Sequence, residues 1–145
     1  MPIFATNRVT GDDVDRVRDV LKAYLDNDRD GQPDNRKVAR ELVRNKAGMV
    51  MFSNEGEADK STFWESREAE KYELFLVNGD ETNVAGRFDA SLEEVLHMIT
   101  DSGYGPAYPA AFGAKRRSQL GRLTSAAVKR GDFVYDDPKI GRAHV

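Results

Sequence analysis

Apolar residues recur at three- and four-residue intervals at Val14, Val17, Leu21, Tyr24 and Leu25, which predicts an amphipathic helix over residues 11–25. Thr10 and Asp13 stand just before that stripe at capping-box spacing. Residues 26–34 break the pattern with a glycine, a proline and four aspartates, and Val38, Leu42 and Val43 then mark a second helix over about 35–45. The run Gly48-Met49-Val50-Met51-Phe52, bounded by polar residues, predicts a buried strand, and Tyr72 to Val77 predicts another. Asn78-Gly79 tolerates the positive φ angles of a tight turn and predicts a hairpin toward residues 82–88.

Ser91 and Glu94 form a second capping-box pair, and Leu92, Val95, Leu96 and Ile99 make the apolar stripe of a third helix ending near Asp101. A loop rich in glycine, proline and tyrosine follows over residues 103–109. The last helix runs from about Ser118 to Val128 and carries Leu120, Leu123 and Ala127. There is no internal repeat. Helices flanking a small sheet of two to four strands make an α+β fold, with about four helices in a single domain over residues 1–138.

Composition narrows the class without naming a function. The chain is 39% hydrophobic and 32% charged, with no apolar run long enough to cross a bilayer. A domain of this length buries roughly 68–70% of its unfolded surface, enough for a core without disulfides or metals. The net charge of −3 does not suggest general nucleic-acid binding. With no cysteine, no phosphate loop and one histidine before the tail, thiol chemistry and a histidine-based triad are excluded within this stretch.

The final seven residues, Lys139 to Val145, read as the translation of a short-read library adapter whose next codon is a stop. Natural sequence is therefore expected to end near Pro138, with the α+β domain incomplete beyond it, and His144 is not a ligand candidate. Without Lys139 and Arg142 the chain holds 20 basic against 25 acidic residues, and the charge falls to −5. Met1 to Phe4 lacks the basic and apolar regions of a signal peptide, while a signal upstream of Met1 stays open. Residues 132–145 are expected to be poorly anchored, and the surface around the third and last helices to expose apolar side chains.

The densest chemistry lies in Asp26-Asn27-Asp28-Arg29-Asp30-Gly31-Gln32-Pro33-Asp34. Carboxylates fall at loop positions 1, 3, 5 and 9, with glycine at 6. Calcium takes six to eight hard oxygens, and this alternation brings several toward one centre while glycine permits the sharp turn. The nine residues resemble the calcium loops of EF-hands and, more closely, the aspartate-rich repeats of thrombospondins. That resemblance implies Asp26, Asp28, Asp30 and Asp34 as calcium ligands. It departs from the EF-hand at position 12, where Lys37 replaces the bidentate glutamate, and at position 8, where Pro33 lacks the N–H that pairs two hands. The expected role is a structural clamp between two helices, against a solvated acidic turn as the plainer reading.

A second candidate is Glu93-Glu94-Val95-Leu96-His97. Residues four apart share a helix face, so Glu93 and His97 can hold one metal while Glu94 polarises a bound water. The segment resembles the His-Glu-x-x-His helix of zincin metallopeptidases with glutamate in place of the first histidine. The resemblance implies zinc, with Glu93 and His97 as ligands and Glu94 as general base; the plainer reading is an exposed histidine beside helix-forming glutamates. Catalytic zinc needs a third protein ligand, none is evident before Pro138, and the chain as it stands is expected to be inactive.

The wider text AYLDNDRDG, FDASLEEVLH and GYGPAYPAAFG is similar to an uncharacterised group of predicted extracellular proteins, which implies an extracellular setting but no activity. Between Ser102 and Gly131 there are six basic residues and no acid, a pattern expected of a solvated helix face. Tyr104 and Tyr108 are expected to cover the end of the third helix, and Phe63 and Trp64 to lie in the core.

Overall fold

The computed structural model describes residues 1–132. The order is β1 (Ile3–Ala5), α1 (Gly11–Leu25), α2 (Arg36–Arg44), β2 (Ala47–Phe52), α3 (Glu55–Ala58), α4 (Arg67–Lys71), β3 (Glu73–Asn78), α5 (Ala90–Met98), α6 (Gly105–Ala107), α7 (Pro109–Phe112) and α8 (Gln119–Arg130). A 3₁₀ turn, Thr62–Glu65, precedes α4, and a π-helical turn, Ile99–Tyr104, extends α5. The class is α+β, with a three-stranded sheet in the order β1-β2-β3. The expectations for residues 133–145, the adapter-like tail included, lie outside the described residues.

Alternation along β2 builds both sides of the sheet, because successive strand side chains point to opposite faces. Ala47, Met49 and Met51 pack with Val77 under α1, α2 and α5, where Val17, Val38, Leu42, Val95 and Met98 are buried. Val50 and Phe52 face the other way, against Phe4, Leu74, Leu76, Phe63 and Ala58. Every residue of β2 is buried, as a strand paired on both edges and covered on both faces must be.

The expectations for the hairpin and for Trp64 are corrected. The sheet is parallel throughout, so Asn78-Gly79 does not close a hairpin and residues 82–88 form no strand. The chain instead turns through the 3₁₀ segment Gly79–Glu81 and is tied down there: the Asp80 N–H donates to the Ser53 carbonyl at 3.0 Å, and the Thr82 hydroxyl donates to the Asn78 carbonyl at 2.8 Å. These bonds fasten the segment to the carboxyl ends of β2 and β3 and turn it away from a hairpin return. The three-residue β1 is too short to show a period of its own, and it exists because Ile3 to Ala5 can pair with Met49 to Met51. Trp64 is 41% exposed; one side of its ring packs on Phe52, and its Nε1 donates to the Ala58 carbonyl at 2.8 Å.

On α5 the buried face is Ser91, Val95 and Met98, continued by Ile99, while Leu96 is 51% exposed. At about 100° per residue these positions lie within one arc and Leu96 falls well outside it. The N-cap is Asp89, which accepts from the Ser91 N–H at 3.0 Å, so the expected Ser91/Glu94 box is displaced by two residues. Val43 on α2 is likewise exposed. Leu96, Phe112, Leu120 and Leu123 put apolar side chains at the surface around α5 and α8, as expected.

Candidate metal centre

The acidic loop joins the end of α1 to the start of α2. Asp26 caps α1, its N–H donating to the Lys22 carbonyl, and Asn35 caps α2, its Oδ1 accepting from the Val38 N–H at 3.2 Å. The Asp34 N–H donates to the Leu25 carbonyl at 2.8 Å and closes the loop on itself.

Inside that closure the carboxylates organise the backbone. Asp26 accepts from the N–H of Asp30 through Oδ1 and from that of Gly31 through Oδ2, at 3.0 and 2.9 Å. Asp28 Oδ1 also accepts from the Asp30 N–H, at 3.2 Å, and Asp34 Oδ2 from that of Asn27, at 2.8 Å. Gly31 sits at φ +83°, the left-handed region where a side chain is strained, and Arg29 occupies it too at φ 62°. A non-glycine residue there costs about 1–2 kcal/mol, which the surrounding N–H to carboxylate bonds offset.

The outcome is that one oxygen each of Asp26, Asp28 and Asp34 lies within 4.8 Å of the others. Asp30 stands outside this group; its Oδ1 accepts from the Gln32 N–H at 2.7 Å. No lysine or arginine forms an ion pair with any of the four among the described residues. Of the cations at the α2 end, Arg36 donates to Gln32 Oε1 and Lys37 lies 4.6 Å over the Tyr108 ring. Three like charges at this spacing repel by about 1 kcal/mol per pair even in water. Their remaining lone pairs belong to hard carboxylate oxygens, the donor type that calcium takes.

An open cleft of about 440 Å³ adjoins the loop, lined by Tyr24, Asn27, Asp34, Asn35, Val38 and Tyr104 among others. Tyr104 packs against Phe112 and the main core, while the Tyr108 hydroxyl donates to Asn35 Oδ1 at 3.2 Å. The two tyrosines thus brace the α2 end of the loop as well as following α5, a role that their position among prolines and glycines did not reveal.

The second candidate is assembled only in part. His97 Nε2 lies 3.5 Å from Glu93 Oε1, and both side chains are more than half exposed. Glu94 lies at the flank of the buried arc and is half-buried. Burial pushes its carboxyl above the ordinary value, opposed by His97 and reinforced by Glu93 and Glu81. Among the described residues no third His, Asp or Glu joins Glu93 and His97 in a metal-sized group.

Sequence reading passed over the support at the head of the same helix. Arg16 Nε donates to Asp89 Oδ2 at 2.7 Å, and the buried Ser91 hydroxyl donates to Asp89 Oδ1 at 2.6 Å. Burial works against the charge on Asp89, yet the bonds from Ser91, Arg16 and the Asn83 backbone outweigh it and hold the carboxyl below its ordinary value. The partners are 73 positions apart in one case, so no local signal marks them. No family model, curated protein or solved structure matches the chain.

Proposed function

We propose that residues 26–34 bind calcium and that the ion clamps α2 against the end of α1. The observation that carries this reading is the convergence of Asp26, Asp28 and Asp34 with no cation paired to them among the described residues. Calcium neutralises that repulsion, and water or loop carbonyls complete its six to eight oxygens. Magnesium competes poorly because it demands a tighter octahedron and gives up water reluctantly. The role is structural, since the loop joins two helices whose buried residues, Val17, Leu21, Val38 and Leu42, share one core.

The test is isothermal titration with calcium, beside thermal melting in calcium and in chelator. Asp28→Asn with Asp34→Asn removes two of the convergent charges and is expected to abolish binding, whereas Asp30→Asn is expected to weaken it less. Free calcium at a hundred times its dissociation constant stabilises the fold by about 2.7 kcal/mol. Identical melting in calcium and chelator removes the reading.

A zincin-like metal-dependent hydrolase is the second reading, favoured by the 3.5 Å approach of His97 to Glu93 on one face of α5. In it Glu93 and His97 hold zinc, which would polarise a water, and Glu94 accepts the proton. It ranks below calcium because two exposed ligands position an ion loosely. Zinc-dependent peptide hydrolysis abolished by His97→Ala would reverse that ranking.

A further inference from the structure

A parallel sheet ends all its strands on one edge, and in open sheets of this kind ligands settle outside the carboxyl ends of the strands. Here β1 ends at Ala5 and β2 at Phe52, and the residues that follow each strand, with the turn before α4, enclose an open cleft of about 610 Å³. Its volume falls within the range of small-molecule sites, roughly 300–1,000 Å³. Asn7, Arg8, Asn54, Lys60, Ser61 and Thr62 line it. This is the face of the molecule that the acidic loop does not use.

The charges in the cleft are not equivalent. Glu57 is committed to the fold: its Oε2 accepts from the Ser53 hydroxyl at 2.6 Å and from the Ser53 N–H at 2.8 Å, strapping α3 to the end of β2. Those bonds outweigh burial and hold its carboxyl below the ordinary value, and the Thr6 hydroxyl stands near it without reaching hydrogen-bond geometry. Arg8 stands near enough to help hold the Glu57 carboxyl low, yet neither it nor Lys60 makes an ion pair among the described residues. The Ser61 hydroxyl oxygen accepts from the Phe63 N–H at 3.2 Å, which leaves its proton free to donate. Gly56 keeps its side of the wall bare, since a Cβ there would meet only Asn54 Oδ1 at 3.4 Å.

We propose that this cleft binds a small phosphate ester. A guanidinium and an ammonium supply the paired positive charge that a phosphate dianion needs, the former with a planar fork that matches its oxygens. The amide of Asn7 and the hydroxyls of Ser61 and Thr62 suit the hydroxyl groups of the organic part, and the volume exceeds what a lone phosphate fills. The site is independent of the calcium loop and stands or falls without it.

The experiment is calorimetric titration of the full chain, in calcium-free buffer at low ionic strength, with ribose 5-phosphate, ribose and inorganic phosphate. Ribose 5-phosphate is expected to bind saturably, at least about tenfold tighter than ribose, which lacks the charge-assisted contacts, and more tightly than inorganic phosphate, which lacks the hydroxyl contacts. Arg8→Gln and Lys60→Gln, both at exposed positions, should each weaken it about tenfold. Gly56→Gln should do as much by filling the cleft with both cations in place, and Arg122→Gln on α8 should change nothing. Melting curves confirm that each variant is folded. Absence of saturable binding, equal binding of ribose or inorganic phosphate, an unaffected Gly56→Gln, or an equal loss in Arg122→Gln would each overturn the assignment.

Discussion

Gly103→Ala probes how tightly the π-helical turn is pressed onto α2. A Cβ at Gly103 would lie 2.8 Å from Val38 Cγ1 and 3.2 Å from Leu42 Cγ, side chains that are 1% and 0% exposed. Neither can swing into solvent. The turn cannot withdraw freely either, because the Asn45 amide donates to the Ser102 carbonyl at 2.8 Å and the Ser102 hydroxyl donates to Glu73 Oε2 at 2.6 Å. Overpacking of this kind costs about 1–3 kcal/mol. Alanine restricts the unfolded chain and returns about 0.4–1 kcal/mol, so a net loss of about 1–2 kcal/mol is expected. With an unfolding entropy of about 2 cal/mol/K per residue, the melting temperature falls by about 3–7 °C. Urea titration followed by the fluorescence of Trp64, the single tryptophan, reports the transition from the opposite face of the sheet. Val38→Ala in the same background removes the clashing methyl, and the double variant should be more stable than the sum of the two losses by about 1 kcal/mol. A Gly103→Ala protein as stable as its parent, or strict additivity with Val38→Ala, would refute the close approach.

Two pH-dependent variants test the head and flank of α5. The folded value of Asp89 lies below the ordinary 3.8, so its stabilising effect is present above 3.8 and is lost as pH falls through the depressed value. Asp89→Asn is expected to cost about 1–2 kcal/mol at pH 7, in line with hydrogen bonds to a charged group, and urea midpoints should converge with the parent in strong acid; a gap of equal size at both ends contradicts the assignment. Glu94 is shifted the other way, above 4.5, so stability is lost as pH rises from 4.5 through its folded value. Glu94→Gln should therefore be more stable than the parent at pH 7 and equal to it near pH 3, and a destabilised variant at pH 7 would show that the carboxylate makes a favourable contact instead.

The metal candidates illustrate how far local pattern reaches. The spacing of Asp26, Asp28 and Asp34 around Gly31 marked the loop correctly as a turn that gathers carboxylates, because all its partners lie within nine residues and glycine is the residue that tolerates φ +83°. The same spacing made Asp30 equivalent to the rest, but its carboxylate bonds to Gln32 two residues on, a choice between neighbouring N–H groups that only the folded backbone settles. For Glu93 and His97 the helical period placed both on one face. It could not say that the face is open to water, or that Leu96 shares the exposure while Met98 takes the core.

Periodicity by itself determined the long elements: α1, the body of α2, the fully buried β2, β3 and α8 each announce themselves in apolar spacing, since each must bury a face against something. Tertiary structure alone decided how those faces meet. That the strands run parallel, that three residues at the start suffice for β1, and that Asn78-Gly79 turns into the protein instead of closing a hairpin all depend on partners tens of residues away. So do the Arg16–Asp89 pair and the cleft beside Arg8 and Lys60, which exist because parallel pairing brings the ends of β1 and β2 to one edge. Local sequence encodes what a segment must hide or cap, whereas its neighbours are chosen by the packing of the whole chain, where many weak long-range contacts outweigh any single local preference.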